Sequence, residues 1–139
     1  MIQKKKISQA ELIIAAREAK QKAYAPYSKF KVGAALLAKS GTIYTGCNVE
    51  NASYGLTCCA ERNAVFEAVG RGERKFIAIA ISSDSPEPTA PCGACRQVLY
   101  EFAPEMEVIM AGKKGVKRIS LNKLLPLAFG PNSLKNNKQ

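Results

Sequence analysis

The chain has 139 residues, 47% of them hydrophobic and 23% charged, with a formal net charge of +10 and no histidine. That balance excludes a disordered chain or a fibrous repeat, and a domain of this length buries roughly two-thirds of its unfolded surface. The missing histidine excludes every Ser-His or Cys-His catalytic pair and every imidazole metal ligand, so proton transfer falls to a carboxylate, a lysine, a tyrosine or water.

No apolar run reaches the roughly 20 residues of a membrane span. Ser8, Gln9 and Glu11 follow the basic start, where a signal peptide carries an apolar block. The expectation is a cytoplasmic protein with no membrane partner. The basic excess lies in Lys4, Lys5 and Lys6, in Lys113, Lys114, Lys117 and Arg118, and in Lys135 and Lys138. With few aromatics between them, these read as a solvated surface, and no nucleic-acid partner is expected.

In chain order, Ser8 and Glu11 form a capping box that opens a helix over about 8–24, with Leu12, Ile13, Ala16, Ala19 and Ala23 on one face. Residues 30–38 and 42–49 read as two strands joined at Ser40-Gly41. A helix follows from about Cys58 to Val69 and stops at Gly70 and Gly72. The apolar run 76–82 suits a central strand buried on both faces. A proline-rich loop leads to a helix over 93–102, then strands over 106–111 and 116–120 and a final helix over 121–128. The tail from about 132 to 139 is expected to be flexible. Alternating strands and helices after a hairpin predict an α/β fold in a single domain spanning 1–139. Gly33, Gly46 and Gly55 are expected to serve close packing or turns.

Five cysteines, at 47, 58, 59, 92 and 95, are an odd number in a chain too long to need a disulfide scaffold. Cys92 and Cys95 form a C-x-x-C with the sulfurs one helical turn apart, a pattern shared by redox pairs, structural zinc and catalytic zinc. Cys59-Ala60-Glu61 separates these. One upstream cysteine gives three ligands and leaves a fourth zinc position open for water, whereas a structural site closes it with a fourth thiolate. Glu61, two residues on, is placed to handle protons without binding the metal. A Cys₃ zinc with a non-ligand glutamate beside P-C-x-x-C is the pattern of nucleobase deaminases. Cys58 competes with Cys59 as ligand, and the C-A-E spacing favours Cys59.

The segments CNVENASYG (47–55), CAER (59–62) and PCGACRQVL (91–99) resemble the small homotetrameric cytidine deaminases, with APYSKFKVGAAL (25–36) and LLPLAFGP (124–131) matching further segments in order. The resemblance implies a three-layer α/β/α sandwich around a mixed five-stranded sheet, and one zinc per chain held by Cys59, Cys92 and Cys95. It implies Glu61 as proton shuttle and Arg62 as a donor to the ligand thiolates. Asn48 and Glu50 would bond the ribose hydroxyls, Phe30 would pack on the pyrimidine, and the Ala60 backbone would read the base edge. Ala52, Tyr54 and Phe129 match positions that complete a neighbouring subunit's site. The implied activity is deamination of cytidine and deoxycytidine to uridine and deoxyuridine in pyrimidine salvage. Two departures stand out: Asn63, where the family usually has Thr, and Lys31, where Pro is common. A polynucleotide-editing deaminase, a non-catalytic zinc module and a deaminase for another aminopyrimidine are the competing readings.

Overall fold

A computed structural model describes residues 6–135. Helix α1 (Gln9–Lys20) starts at the expected capping box: the Ser8 hydroxyl accepts from the Glu11 amide and the Glu11 carboxylate accepts from the Ser8 amide. Strands β1 (Val32–Ala38) and β2 (Ile43–Cys47) form an antiparallel hairpin in which Gly33 faces Cys47 and Leu37 faces Ile43. Helix α2 (Ala60–Gly70), β3 (Phe76–Ser83), α3 (Gly93–Phe102), β4 (Glu107–Gly112) and β5 (Gly115–Ser120) follow, with short helices α4 (Leu121–Leu124) and α5 (Pro131–Lys135) closing the chain.

The five strands lie in the order β2-β1-β3-β4-β5. Only β3 and β4 are parallel, and the helix between them, α3, is the crossover that parallel neighbours require. The other pairs are antiparallel, so the sheet is mixed as expected.

Each sheet face has its own core. On one side Leu12, Ile13 and Ala16 of α1 pack on Ala35, Ala78, Ala80, Ile109 and Ala111. On the other, Ala60, Ala64, Val65 and Ala68 of α2 and Leu99 of α3 pack on Ala34, Leu36, Ile79, Ile81, Val108 and Met110. These sets are the alternate residues of each strand, since successive side chains point to opposite faces. The result is a three-layer α/β/α sandwich.

Small residues let the helices approach closely. A Cβ built on Gly33 would stand 2.1 Å from the Ala16 carbonyl oxygen, and one on Gly46 would stand 2.4 Å from that of Ala60. The first seats α1 on β1, the second seats α2 on β2. Gly55 has open space around it and serves no such contact.

One expectation needs correction. The helix expected over 121–128 ends at Leu124, because Pro126 disfavours helical backbone at Leu125, which sits at φ −140°, ψ 68°. The segment expected as a flexible tail from about 132 carries helical turns in its first part. Pro131 opens α5, and the Ser133 hydroxyl accepts from the Gly130 amide at 3.2 Å. Residues 1–5 and 136–139, with Lys4, Lys5 and Lys138, lie outside the described residues.

Candidate metal centre and active-site cleft

Cys59 and Cys92 are the N-cap residues of α2 and α3, both with extended backbone and neither making a side-chain cap bond. Two helix N-termini on the same sheet face therefore converge on sulfur, and their partial positive charge favours thiolate. Cys95, buried in the first turn of α3, lies three residues past Cys92 and so shares its helix face.

The sulfurs of Cys59 and Cys92 are 3.8 Å apart and those of Cys92 and Cys95 are 3.5 Å apart. All three Sγ atoms lie within 4.8 Å of one another, and the described cysteines are free thiols. Tetrahedral zinc with Zn–S bonds of about 2.3 Å sets its sulfurs about 3.8 Å apart. The donor set therefore fits one zinc ion, and three thiols leave a fourth position for water.

Proton sharing with Cys95 and donation from Arg62 hold the Cys59 thiol well below its ordinary value, while the same pairing raises Cys95. The Nη2 of Arg62 donates to the Cys59 sulfur at 3.4 Å. Three thiolates around Zn²⁺ leave net negative charge, and a guanidinium on one sulfur withdraws part of it. Its buried Nε has no hydrogen-bond partner among the described residues.

Glu61, the second residue of α2, is 5% exposed. Burial pushes its carboxyl up to about 7, where a group can both take and release a proton near neutral pH.

These groups open onto a cleft of about 260 Å³ lined by Phe30, Asn48, Glu50, Ala60, Glu61 and two of the thiols, among others. Asn48 is buried, and its side chain is already engaged. Nδ2 donates to the Phe30 carbonyl at 2.8 Å and Oδ1 accepts from the Val32 amide at 2.9 Å. One Nδ2 hydrogen and one Oδ1 lone pair are left for a ligand.

Glu50 accepts from the Tyr27 amide at 2.9 Å, the Ser28 amide at 3.1 Å and the Ser28 hydroxyl. The Ser28 hydroxyl bond is the largest cause holding its pKa below the usual carboxylate value. The carboxylate is thus fixed in place and charged on the lining of the cleft.

Seven of the expected site residues line this one cleft, and Cys95 and Arg62 contact the sulfurs of Cys92 and Cys59 that line it. Ala52, Tyr54 and Phe129 do not line it. Tyr54 is 74% exposed with its ring against Tyr27 at 5.6 Å, and Phe129 is 62% exposed.

Sequence reasoning missed Ser28, Thr57 and Thr89 on the lining. It also missed Asp84, which accepts from the Lys31 amide at 2.9 Å and pairs with Lys20 at 3.4 Å. Asp84 sits in SSDSPEP, where nothing separates it from other turn-forming residues. Ser28 lies beside Phe30 within 25–36, but its bond to Glu50 is not encoded in that segment.

The family profile described as the cytidine and deoxycytidylate deaminase zinc-binding region matches residues 6–111. A cytidine deaminase of Sporosarcina psychrophila is 51% identical over 126 residues, covering 89% of this chain and 93% of its own length. The chain belongs to the cytidine deaminase family. A crystal structure of cytidine deaminase from Burkholderia pseudomallei is similar with a TM-score of 0.85 and 52% identity, covering 88% of this chain and all of the other. That from Mycobacterium tuberculosis has a TM-score of 0.79 and 40% identity over 90% of this chain and 99% of its own. The zinc-binding description agrees with the thiol geometry, and the two together fit one zinc per chain.

Proposed function

We propose that the protein hydrolyses the exocyclic amine of cytidine and deoxycytidine, releasing ammonia and leaving uridine or deoxyuridine. The observation that carries this is a cluster of three convergent thiols beside one cleft that also holds a buried carboxyl poised near 7 and the Asn48/Glu50 pair.

Cys59, Cys92 and Cys95 would hold zinc, which when bound supplies a Lewis acid that makes water nucleophilic near neutral pH. Phe30 packs on the pyrimidine and the Ala60 backbone meets its edge. Glu61 takes the proton from the attacking water at its carboxylate as oxygen adds to C4. It delivers that proton to N3, then takes the proton of the new C4 hydroxyl and passes it to the amino group, so that the C4–N bond breaks, ammonia leaves and the C4 carbonyl forms. Asn48 and Glu50 receive the sugar hydroxyls. Glu50, held charged by Ser28 and two backbone amides, accepts from a hydroxyl but repels a phosphate, so free nucleosides are the substrates.

The working form is a homotetramer in which Ala52, Tyr54 and Phe129 complete a neighbour's cleft. Two observations support this: the rings of Tyr54 and Phe129 are largely exposed, and all three residues stand outside their own chain's cleft. The chain acts as a single domain, in the cytoplasm, in pyrimidine salvage. Among the described residues no helix is long and apolar enough to cross a membrane.

The deciding experiment follows the ultraviolet change of cytidine, cytidine monophosphate and a cytidine-containing oligonucleotide at low and high salt. Cytidine and deoxycytidine should react and the oligonucleotide should remain inert at both. Deamination of the oligonucleotide that weakens steeply with salt would replace the nucleoside reading with polynucleotide editing.

A further inference from the structure

Asn63 lies one turn into α2, four residues beyond Cys59, and is not part of the cleft lining. Its Nδ2 donates to the Cys47 carbonyl at 2.8 Å and reaches the Cys58 carbonyl at 3.4 Å. Two carbonyl acceptors fix the orientation of the amide, since only its NH₂ end can face them. Each acceptor belongs to the residue immediately before a site residue: Cys47 precedes Asn48, and Cys58 precedes Cys59.

The same junction carries a two-bond bridge, in which the Val49 amide donates to the Cys58 carbonyl at 3.0 Å and the Cys58 amide to the Val49 carbonyl at 3.0 Å. Val49 stands between Asn48 and Glu50. The segment carrying the sugar-facing pair and the segment carrying the first thiol thus meet at three hydrogen-bonding groups. Asn63 is the one whose side chain spans both. β2 ends at Cys47, and beyond it backbone bonds tie 48–50 to Val32 of β1 and to Tyr24, while the bonds to Cys58 and the Asn63 side chain tie the same segment to the start of α2.

We propose that Asn63 is a positioning residue that registers the substrate-holding segment 47–50 against the thiol-bearing start of α2, and thereby sets nucleoside affinity. This rests on the deaminase reading above. Asn63 touches neither substrate nor metal. It acts through Asn48 and Glu50, so its loss weakens ground-state binding and leaves the proton transfers of Glu61 in place.

The test uses three full-length variants, Asn63→Ala, Asn63→Thr and Asn63→Asp. It reads cytidine KM and kcat, zinc content, and amide hydrogen exchange at Val49 and Cys58 without substrate. Losing two hydrogen bonds to carbonyls should raise KM about tenfold in Asn63→Ala, with kcat within about threefold and zinc still at one per chain. Exchange at Val49 and Cys58 should quicken. Thr offers a single O–H donor and should fall between wild type and Ala. Asp has the same shape but turns acceptors on two carbonyls, so it should be worse than Ala.

An unchanged KM with unchanged exchange at Val49 in Asn63→Ala and Asn63→Thr overturns the proposal. So does Asn63→Asp behaving as wild type, or a fall in kcat that tracks zinc loss. A merely structural side chain would lower the melting temperature of the variants without moving KM, which also counts against it. Failure of the wild-type enzyme to turn over cytidine would instead sink the deaminase reading, and the exchange measurement would still decide the role of Asn63.

Discussion

Glu61 and Glu50 are two carboxylates in one cleft with opposite environments. Burial raises the first, while hydroxyl and amide donors lower the second. Different environments suit the two to different tasks, the first to exchanging a proton near neutral pH and the second to standing as a fixed anion. Glu61→Gln should keep zinc at one per chain and the melting temperature near wild type, while kcat falls by about 10²–10⁴-fold or more. Metal analysis beside kinetics checks this, and a loss below tenfold would mean another group moves the proton. For Glu50 the sign of the pH effect follows from its lowered value. The stabilisation it gives is fully present above the unfolded carboxylate pKa of about 4.3 and is lost as pH falls through the lower folded value. The melting-temperature gap between wild type and Glu50→Gln should therefore be constant above about pH 5 and close in stronger acid. A gap that widened on acidification would show that Ser28 and the two amides do not favour the charged form.

At the scale of elements, the helix starts were the most readable part of the sequence. Ser8 with Glu11 marks α1 because the pair satisfies free amides of its first turn, and Pro91 before Cys92 marks α3 because proline suits the chain entering a helix. The strand core was also legible, since the apolar run 76–82 can only be buried from both sides. What escaped was set by long-range partners. Asp84 gains its meaning from Lys31 and Lys20, 53 residues from the first. Ser28 gains its meaning from Glu50, 22 residues away. No local pattern encodes either pairing. The close packing at Gly46 was anticipated only as a possibility of type, and the structure gives it a partner in α2. Gly46→Ala would drive a methyl into the Ala60 carbonyl and should cost about 1–3 kcal/mol as overpacking, read by denaturant unfolding. Gly55→Ala, with open space around it, should change stability far less.

On the scale of the whole molecule, a single protomer brings together the thiols, Glu61, Phe30, Asn48 and Glu50 but leaves Tyr54 and Phe129 on its surface. If those rings close a neighbour's cleft, Tyr54→Ala and Phe129→Ala should raise cytidine KM without loss of zinc. Wild type should sediment as a tetramer under assay conditions. A fully active monomer would overturn the shared site. The positive charge is compatible with this arrangement. Part of it is paired at the surface, as in Lys114 with Glu87 and Arg118 with Glu107. Exposed pairs of this kind contribute at most about 1 kcal/mol each, so the charge bears on solubility more than on the fold.

The two helices that begin on a cysteine have given up the cap that α1 possesses. Ser8 and Glu11 close the start of α1 from within its own sequence, whereas Cys59 and Cys92 turn sulfur toward the thiol cluster and leave their helices without a side-chain cap. Such a cap is typically worth about 1 kcal/mol. The two faces of the sheet are therefore unequal in what sustains them. Stripping zinc with a chelator should loosen α2 and α3 first, with amide exchange quickening in their opening turns, while α1 stays protected on the far side. The molecule is in this sense half self-supporting and half conditional, and the conditional half is the one that does the chemistry.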